Sequence, residues 1–251
     1  MAKLKFNQKF FKLDICGQEV QFRKWTAADE KKFLKVLNSK KENLNDLDVY
    51  NSLIKPILKE NANLTSNEQK YLLMQVRKET FGKTVDYKVK CPKCGKINEL
   101  KLNLDEIVKF KCSNFSDLEI IIDEETEEIV KEITQTQKPV ILKIKFSRKN
   151  INKFKSLLYA NQDPVDYIFT NFLTFIEEIE YNGETLKIEN KQDFKDGGEF
   201  LDSLPTNIFE YIVDEFAKMS DEFKIEFNFT CEKCGYSENM EIDNIFEFLW
   251  D

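Results

Sequence analysis

Two copies of the turn Cys-x-x-Cys-Gly constrain this chain more than any other feature of its sequence. CPKCG occupies residues 91–95, CEKCG occupies residues 231–235, and the chain contains no histidine. We call each of these turns a knuckle. In a knuckle two thiolates can lie on one side of a tight turn, and the glycine supplies the positive φ that such a turn favours. Each knuckle therefore offers half of a tetrahedral metal site.

The four knuckle cysteines form the simplest complete ligand set for a structural zinc ion. Zn²⁺ takes four ligands in closed structural sites, and without histidine the thiolates must supply all four. We therefore predict one structural Zn²⁺ with these ligands: Cys91, Cys94, Cys231 and Cys234. Such a site would close the two halves of the sequence on each other.

Two alternatives use the same thiols differently. The knuckles could be separate redox pairs, or their thiols could pack as small apolar residues. A redox Cys-x-x-Cys usually opens a helix, whereas strand-like alternation surrounds both knuckles here, as in TVDYKVK before the first and INELKLNL after it. A shared zinc site is therefore preferred. The ammonium groups of Lys93 and Lys233 would offset part of its negative charge.

The other two thiols, Cys16 and Cys112, are expected to be buried core residues, with substitution as a metal ligand as the alternative. The N-terminal segment lacks the apolar run of a signal peptide, and no apolar run approaches the roughly 18 residues of a membrane span. We therefore expect a reducing compartment and no membrane association. There, paired cysteines are better explained by metal binding than by structural disulfides.

The composition predicts a soluble globular protein and disfavours nucleic-acid binding. A chain of 251 residues that is 41% hydrophobic, with 22 phenylalanines, can bury a sizeable core as one large domain or two small ones in close contact. The formal net charge is -7, and the arginines are limited to Arg23, Arg77 and Arg148. Because a polyanion must meet surplus positive potential, nucleic acid is an unfavourable partner.

Alternation and helical spacing predict an α+β fold. KFFKLDIC and EVQFRKW flank the turn Gly17-Gln18 and predict a β-hairpin, after which Thr26 is the predicted N-cap of the first helix. Helical spacing predicts three helices before the first knuckle, over residues 27–38, 46–60 and 67–80. Pro56 interrupts the second of them. A strand, the first knuckle and another strand follow.

The second half of the chain repeats this order of elements. A shift of 121 positions takes Phe33 to Phe154, and a shift of 140 takes Leu72 to Ile212 and the first knuckle to the second. The difference of 19 residues is assigned to an inserted hairpin, IEYNGETLKI with an Asn182-Gly183 turn, and to a following loop, FKDGGEF.

We therefore predict two tandem pseudo-repeats, each a hairpin, helices and a strand-knuckle-strand unit, joined by a zinc-ribbon-like site. Residues 1–110 would hold the N-terminal hairpin and the first knuckle. Residues 111–251 would hold the inserted hairpin, the second knuckle and a C-terminal aromatic segment. The two repeats are expected to pack as one compact unit.

The sequence offers little support for catalysis. Histidine-dependent nucleophiles are impossible, neither GxGxxG nor GxxxxGK[ST] occurs, and a zinc ion with four cysteine ligands has no open position for water. The acidic run DEETEE at 123–128 could pair carboxylates as in glycosidases, but a solvated loop is the simpler interpretation. We expect a non-enzymatic protein without a small-molecule substrate.

The order of the motifs also resembles a known family. Five segments carry the resemblance over roughly residues 10–250. In chain order they are FRKWTAADEKKFLKVL, FGKTVDYKVKCPKCG, FLDSLPTNIFEYIVDEFAKM, FKIEFNFTCEKCG and a terminal NIFEFLW. They are similar to baseplate hub proteins of T4-type contractile-tailed phages, in which an arginine-aromatic-threonine segment precedes an acidic helix and each half carries a Cys-x-x-Cys turn. Where many members have Arg-Pro-Phe-Thr, this chain has Arg23-Lys24-Trp25-Thr26.

The resemblance implies a role in building the hub at the tip of the phage tail. The protein would be either a virion subunit or an assembly factor, a chaperone that leaves the finished particle. Its partners would be other baseplate hub and tail proteins. It would act in the cytoplasm of the bacterial host during assembly and, as a subunit, would lie in the tail baseplate.

The C-terminal segment DNIFEFLWD suggests a contact with a partner protein. Phe246, Leu249 and Trp250 have helical spacing, and large aromatic side chains are frequent anchors of protein interfaces. The alternative is that this segment covers the hydrophobic flank of the second knuckle.

The rival function is that of a zinc-ribbon nucleic-acid-binding or transcription-associated protein, because such ribbons also pair two knuckles. CPKCGKINELKLN is modestly basic, but CEKCGYSENMEID is acidic. At most one of the two knuckles could therefore favour phosphate.

Overall fold

A computed structural model describes residues 8–39, 50–131, 139–158 and 164–242, together with Ile245 and Leu249. The chain divides into two compact units. Unit 1 is Met1–Cys112 with Asp221–Asp251, and unit 2 is Ser113–Ser220. Unit 2 is thus an insertion in the sequence between the two knuckles, and both knuckles belong to unit 1.

These units differ from the predicted organisation. Residues 221–251 fold with the N-terminal part of the chain, so the unit boundaries do not coincide with the predicted repeat boundary after residue 110. The expectation that the two repeats pack as one compact unit stays a prediction. The mixed composition of helices and strands agrees with the prediction, and every strand pairing among the described residues is antiparallel.

Unit 1 combines small antiparallel sheets with one long helix. Its strands are β1 (Phe10–Ile15), β2 (Gln18–Arg23), β3 (Thr84–Lys90), β4 (Ile97–Asn103), β5 (Val108–Lys111), β11 (Glu222–Thr230) and β12 (Ser237–Glu241). Its helices are α1 (Ala27–Ser39), α2 (Ser66–Phe81) and the short α3 (Leu104–Ile107). β1 pairs with β2 and β3 with β4, while β11 lies between β12 and β5.

The N-terminal hairpin is present, with its turn one residue earlier than predicted. The register joins Ile15 to Gln18, so the turn residues are Cys16 and Gly17. Both have positive φ, 53° and 81° respectively. Two successive positive φ values define the type I′ turn, whose twist suits a two-residue hairpin.

Hydrogen bonds around the buried carboxylate of Asp29 connect the end of β2 to the start of α1. Arg23 Nη1 donates to Asp29 Oδ2 at 2.6 Å, and the backbone N–H of Thr26 donates to the same oxygen at 2.8 Å. The Asp29 N–H in turn lies 3.4 Å from Thr26 Oγ1. Thr26 therefore caps α1 as predicted, and Arg23 compensates the charge of Asp29.

The predicted helix over residues 46–60 is wrong in most of its described part. Only Tyr50–Ile54 is helical, as a short π-helix, and residues 46–49 lie outside the described ranges. After Pro56 the chain pairs with β2, since the Arg23 N–H donates to the Ile57 carbonyl and the Lys59 N–H to the Gln21 carbonyl, both at 3.0 Å. Proline cannot continue a helix, and the edge of β2 accepts the segment instead.

Helix α2 closely matches the predicted range of 67–80 and is anchored to the C-terminal part of the chain. Thr65 forms a capping box with Glu68. The Thr65 hydroxyl also donates to Asp221 Oδ2 at 2.5 Å. Both residues are buried, so the start of α2 is bound to the residue that precedes β11.

Unit 2 packs helices on a five-stranded sheet. The strands are β6 (Leu118–Asp123), β7 (Glu128–Ile129), β8 (Pro139–Phe146), β9 (Ile176–Tyr181) and β10 (Glu184–Lys187), in the order β10-β9-β8-β6-β7. The helices are α4 (Ile151–Leu158), α5 (Pro164–Leu173), α6 (Lys191–Asp202) and α7 (Thr206–Met219). In β8 buried and less buried residues alternate, so one face of the sheet lies on the core.

The inserted hairpin is confirmed, but the loop predicted after it is a helix. β9 and β10 pair around Asn182 and Gly183, which have φ of 50° and 80°. FKDGGEF lies inside α6, which Asn190 caps with Asp193. A Cβ on Gly197 would stand 2.9 Å from Ile188 Cδ1, so this glycine permits close packing and does not break the helix.

Contacts between phenylalanine rings run through the core of unit 2, beside its buried isoleucine and leucine side chains. The ring of Phe216 on α7 lies 5.0–5.8 Å, between centroids, from four other rings: Phe115, Phe146, Phe172 and Phe175. Phe154 and Phe194 form another pair at 4.6 Å. Such pairs add to the free energy gained by burying their area.

Among the described residues, no helix combines the length and apolarity needed to cross a membrane.

Candidate metal centre

Two antiparallel hairpins of unit 1 present the knuckles. In the first, Lys90 of β3 pairs with Ile97 of β4, and the knuckle closes this end of the hairpin. In the second, Thr230 of β11 pairs with Ser237 of β12 around the other knuckle. The strand-knuckle-strand pattern predicted from alternation is confirmed in both places.

The two knuckles have the same backbone structure. The Cys91 N–H donates to the Lys96 carbonyl at 2.8 Å, and the Gly95 N–H to the Cys91 carbonyl at 2.9 Å. Cys231, Gly235 and Tyr236 repeat these bonds with the same lengths. Gly95 and Gly235 have φ of 72° and 69°, a region that side chains rarely enter. The glycine of each knuckle is therefore required by the turn.

The structure brings the four predicted ligands together. Cys91 Sγ lies 3.7 Å from Cys234 Sγ, and Cys94 Sγ lies 3.6 Å from Cys231 Sγ. All four sulfurs lie within 4.8 Å of one another. Each close pair joins one knuckle to the other, although the two knuckles are far apart in the sequence.

This spacing fits one metal ion held by four thiolates. A tetrahedral ion with metal–sulfur bonds of about 2.3 Å separates its sulfurs by about 3.8 Å, close to the 3.6 and 3.7 Å of the two cross-knuckle pairs. These separations exceed the roughly 2.05 Å of a disulfide, so the thiols are not bonded to each other. Cys91 and Cys231 are buried, whereas Cys234 is exposed.

The surroundings shift the pKa values of Cys231 and Cys234 in opposite directions. Burial opposes ionisation of Cys231, but the backbone N–H groups of Cys234 and Lys233, with the thiols of Cys94 and Cys91, lower the Cys231 pKa to about 6. For Cys234, the Tyr236 backbone favours the thiolate, but burial and the neighbouring thiols raise its pKa to about 11. A cation at the centre would allow all four to ionise, because metal binding displaces thiol protons.

Charged and polar side chains also join the knuckles. Lys96 Nζ on the first knuckle's hairpin donates to Glu232 Oε2 on the second knuckle at 2.8 Å. Glu232 raises the pKa of Lys96, as do the nearby sulfurs of Cys231 and Cys94. Lys93 and Lys233, the cations expected from the sequence, are exposed. Their contribution to the charge of the site stays a prediction.

Sequence reasoning missed Asn98. It occupies an inward position of β4 and contacts the second knuckle. A polar residue in the buried phase of an alternating strand was the available signal, since buried amides need hydrogen-bond partners.

The expectations for Cys16 and Cys112 are wrong. The two residues form a disulfide across 96 positions of the sequence, with Cα atoms 5.5 Å apart. Cys112 is exposed and Cys16 is half-buried, so neither is a buried free thiol or a substitute metal ligand. No periodicity reveals such a pair, because the turn of β1–β2 and the end of β5 meet only in the folded chain.

The structure describes only part of the C-terminal segment, whereas it describes the whole acidic run. Leu249 is fully buried, at 0% exposure, in the core of unit 1. Phe246 and Trp250 lie outside the described residues, so their role in partner binding stays a prediction. Residues 124–127 of the acidic run form the exposed turn between β6 and β7.

The sequence matches a known protein family. The model of the family described as T4 bacteriophage base plate protein matches residues 5–250, nearly the whole chain. Neither the curated proteins nor the solved structures provide a match. The match spans both units and both knuckles. The chain therefore belongs to the T4 bacteriophage base plate protein family.

Proposed function

We propose that this protein is a non-enzymatic component of the phage baseplate hub, either a hub subunit or an assembly factor, that works by binding other tail proteins. The family match over residues 5–250 is the observation that carries this proposal. A baseplate is built from protein–protein contacts, so the expected partners are other phage tail proteins. The expected locations are the host cytoplasm during assembly and the virion tail baseplate.

The four-cysteine site is proposed to hold one structural Zn²⁺. Soft thiolates in a tetrahedral arrangement suit zinc, and Cys91, Cys94, Cys231 and Cys234 provide a complete closed set. The ion would join the β3–β4 hairpin to the β11–β12 hairpin within unit 1. With all four positions taken by protein, it would stabilise the fold and offer no site for a substrate.

The proposed duplication is supported by matched positions. Phe33 and Phe154, and likewise Leu72 and Ile212, are buried at equivalent places in the two predicted repeats. The knuckles also share their backbone hydrogen bonds. We propose that unit 1 combines the knuckles of both ancestral copies.

The charges on the hairpins favour the baseplate function over the zinc-ribbon alternative. Lys96 is already paired with Glu232, and Glu226 faces Glu241 across β11 and β12. Lys93 and Lys233 are exposed there, but a surface that binds nucleic acid needs a surplus of positive charge. Binding to DNA or RNA that weakens steeply with added salt would instead support the nucleic-acid function.

The proposal is tested by co-purification with other tail proteins, followed by a count of this chain in mature particles. A tagged chain expressed during phage infection should retain proteins encoded by neighbouring tail genes. Quantitative mass spectrometry of mature particles then separates the two roles: a subunit is present at a fixed copy number, whereas an assembly factor is found only with intermediates. A chain that is absent from both particles and tail intermediates contradicts the proposal.

A further inference from the structure

We propose that Asn98 is a positioning residue of the metal centre: it holds the second knuckle in register with the first and donates a hydrogen bond to one ligand sulfur. The proposal rests on the zinc site proposed above. It concerns a residue outside the Cys-x-x-Cys-Gly pattern and assigns the two hairpins different roles.

The burial of Asn98 requires an explanation. Its side chain is on the inward face of β4 and only 1% exposed, whereas the preceding Ile97 is 61% exposed. The strand thus exposes an isoleucine and buries an amide, the reverse of the usual preference. A buried amide lowers stability unless its donors and acceptor are satisfied. The contacts of Asn98 should therefore show what the residue does.

Those contacts lead to the second knuckle. Asn98 Oδ1 accepts a hydrogen bond from the backbone N–H of Glu232 at 3.2 Å. Asn98 Nδ2 lies 3.8 Å from Cys231 Sγ and donates to the Lys96 carbonyl at 3.1 Å. Because the Glu232 N–H can only donate, the amide oxygen must face it, and the NH₂ group then faces the sulfur. One side chain thus binds both the backbone and a ligand of the other knuckle.

The hydrogen bond to sulfur affects the charge of the site. Four thiolates around a divalent cation have a net charge of -2, and an N–H donor near Cys231 Sγ draws part of it away from the metal. Residues that orient metal ligands in this way commonly change metal affinity by about 10- to 100-fold. The same contact fixes Cys231 before the ion arrives.

The second hairpin has no equivalent donor at the matching position. The shift of 140 positions that aligns the knuckles takes Asn98 to Glu238. Glu238 is exposed, and its carboxylate accepts a hydrogen bond from the Tyr236 hydroxyl at 3.0 Å. The arrangement is therefore one-directional: the first hairpin positions the second knuckle through Asn98.

Two substitutions of asparagine by aspartate test the proposal. Asn98→Asp keeps the size and the acceptor of the side chain, removes the N–H donor and places a negative charge beside Cys231. Asn239→Asp is the matched control, because Asn239 is exposed on β12. Zinc affinity is measured by competition with a chromophoric chelator, and the thiolate-to-metal absorption of bound Co²⁺ reports on the sulfurs directly.

Asn98→Asp is expected to weaken zinc binding by about 10- to 100-fold and to change the Co²⁺ absorption, while Asn239→Asp matches the wild type. Wild-type affinity and spectrum in Asn98→Asp would overturn the proposal. Asn98→Ala is the second variant. If Asn98→Ala unfolds while Asn98→Asp binds zinc normally, Asn98 serves packing alone and the proposal is wrong.

The same measurements separate this proposal from the zinc site on which it rests. A wild-type chain that binds neither Zn²⁺ nor Co²⁺ contradicts the metal site, and the role of Asn98 with it. A wild-type chain that binds both ions, with Asn98→Asp indistinguishable from it, contradicts only the role of Asn98.

Discussion

Unit 1 and unit 2 hold their chains together in different ways. All six cysteines lie in unit 1, four around the candidate metal position and two in the Cys16–Cys112 disulfide. Unit 2, residues 113–220, has no cysteine, and its core consists of isoleucine, leucine and phenylalanine side chains. Unit 1 is assembled from two separate stretches of chain, whereas unit 2 is continuous.

The difference follows from the sequence separation that each unit must close. Residues 221–251 must return to residues 1–112 across a long intervening chain, and closing such a long loop has an entropic cost. Metal ligation would offset this cost because it joins Cys91 and Cys94 directly to Cys231 and Cys234. The disulfide acts within the first stretch, where it closes the loop from Cys16 to Cys112. A continuous unit needs fewer such links, and burial of apolar side chains can suffice.

Removal of the metal is expected to have the largest effect, and to act on unit 1. A structural zinc contributes on the order of 10 kcal/mol to folding at neutral pH, so a strong chelator should open this unit. Hydrogen exchange followed by mass spectrometry should show lost protection in β3, β4, β11 and β12, with unit 2 peptides largely protected.

Cys94→Ser and Cys234→Ser should reproduce the effect of the chelator, with metal content and melting temperature falling together. Restored protection after zinc is added back to the chelated wild type is the control. Either variant with full zinc content and an unchanged melting curve would contradict this expectation.

Loss of the disulfide should have the next largest effect. Cys16→Ser removes a link across 96 residues and is expected to lower the free energy of unfolding of unit 1 by about 4 kcal/mol, since the unfolded chain gains freedom. Urea unfolding measures the change, with metal content held constant. Cys112→Ser and the double variant should equal Cys16→Ser, and three different stabilities would argue against a shared bond.

Loss of an aromatic ring from the core of unit 2 should lower stability somewhat less than loss of the disulfide lowers it in unit 1. Phe216→Ala removes a ring that meets four others and should destabilise unit 2 by about 3 kcal/mol. Tyr211→Ala on the same helix, where the residue is 38% exposed, should change stability by less than about 0.5 kcal/mol. Hydrogen exchange in unit 2 provides the measurement, and equal effects of the two substitutions would refute the assignment of the core.

The smallest expected difference between the two units is in how a carboxylate of each unit makes its stability depend on pH. Burial raises the pKa of Asp29, but hydrogen bonds from Arg23 and Thr26 outweigh it and hold this pKa below its usual 3.8. The stability from Asp29 is therefore present above the unfolded pKa and is lost as pH falls through the folded one. Asp29→Asn should reduce stability at neutral pH and flatten the acid side of the stability curve of unit 1.

The control is a carboxylate at the surface of unit 2. Hydrogen bonding from Lys149 also lowers the pKa of Glu177, but this ion pair is more exposed and should contribute little. A Glu177→Gln effect as large as that of Asp29→Asn would remove the distinction between the two sites.

Local features of the fold could be predicted from sequence because each depends on neighbouring residues. The Cys-x-x-Cys-Gly pattern and the alternation around it identified both knuckles, and Thr26 marked the start of α1. The helix that contains Gly197 was missed because glycine was interpreted as a breaker, while the reason for it is close packing against Ile188.

Long-range features could not be predicted in the same way. The Cys16–Cys112 disulfide and the return of residues 221–251 to unit 1 depend on contacts between distant segments, which periodicity does not record. The meeting of the four knuckle cysteines was the exception, since a closed metal site in a chain without histidine needs four thiolates. Asn98 became recognisable only when its neighbours were known.

X-ray absorption of the wild-type protein, together with its metal content, shows directly whether four thiolates hold one zinc ion. We expect one zinc ion per chain with four sulfur neighbours at about 2.3 Å. Metal-free protein, or zinc with nitrogen or oxygen neighbours in place of sulfur, would contradict this expectation.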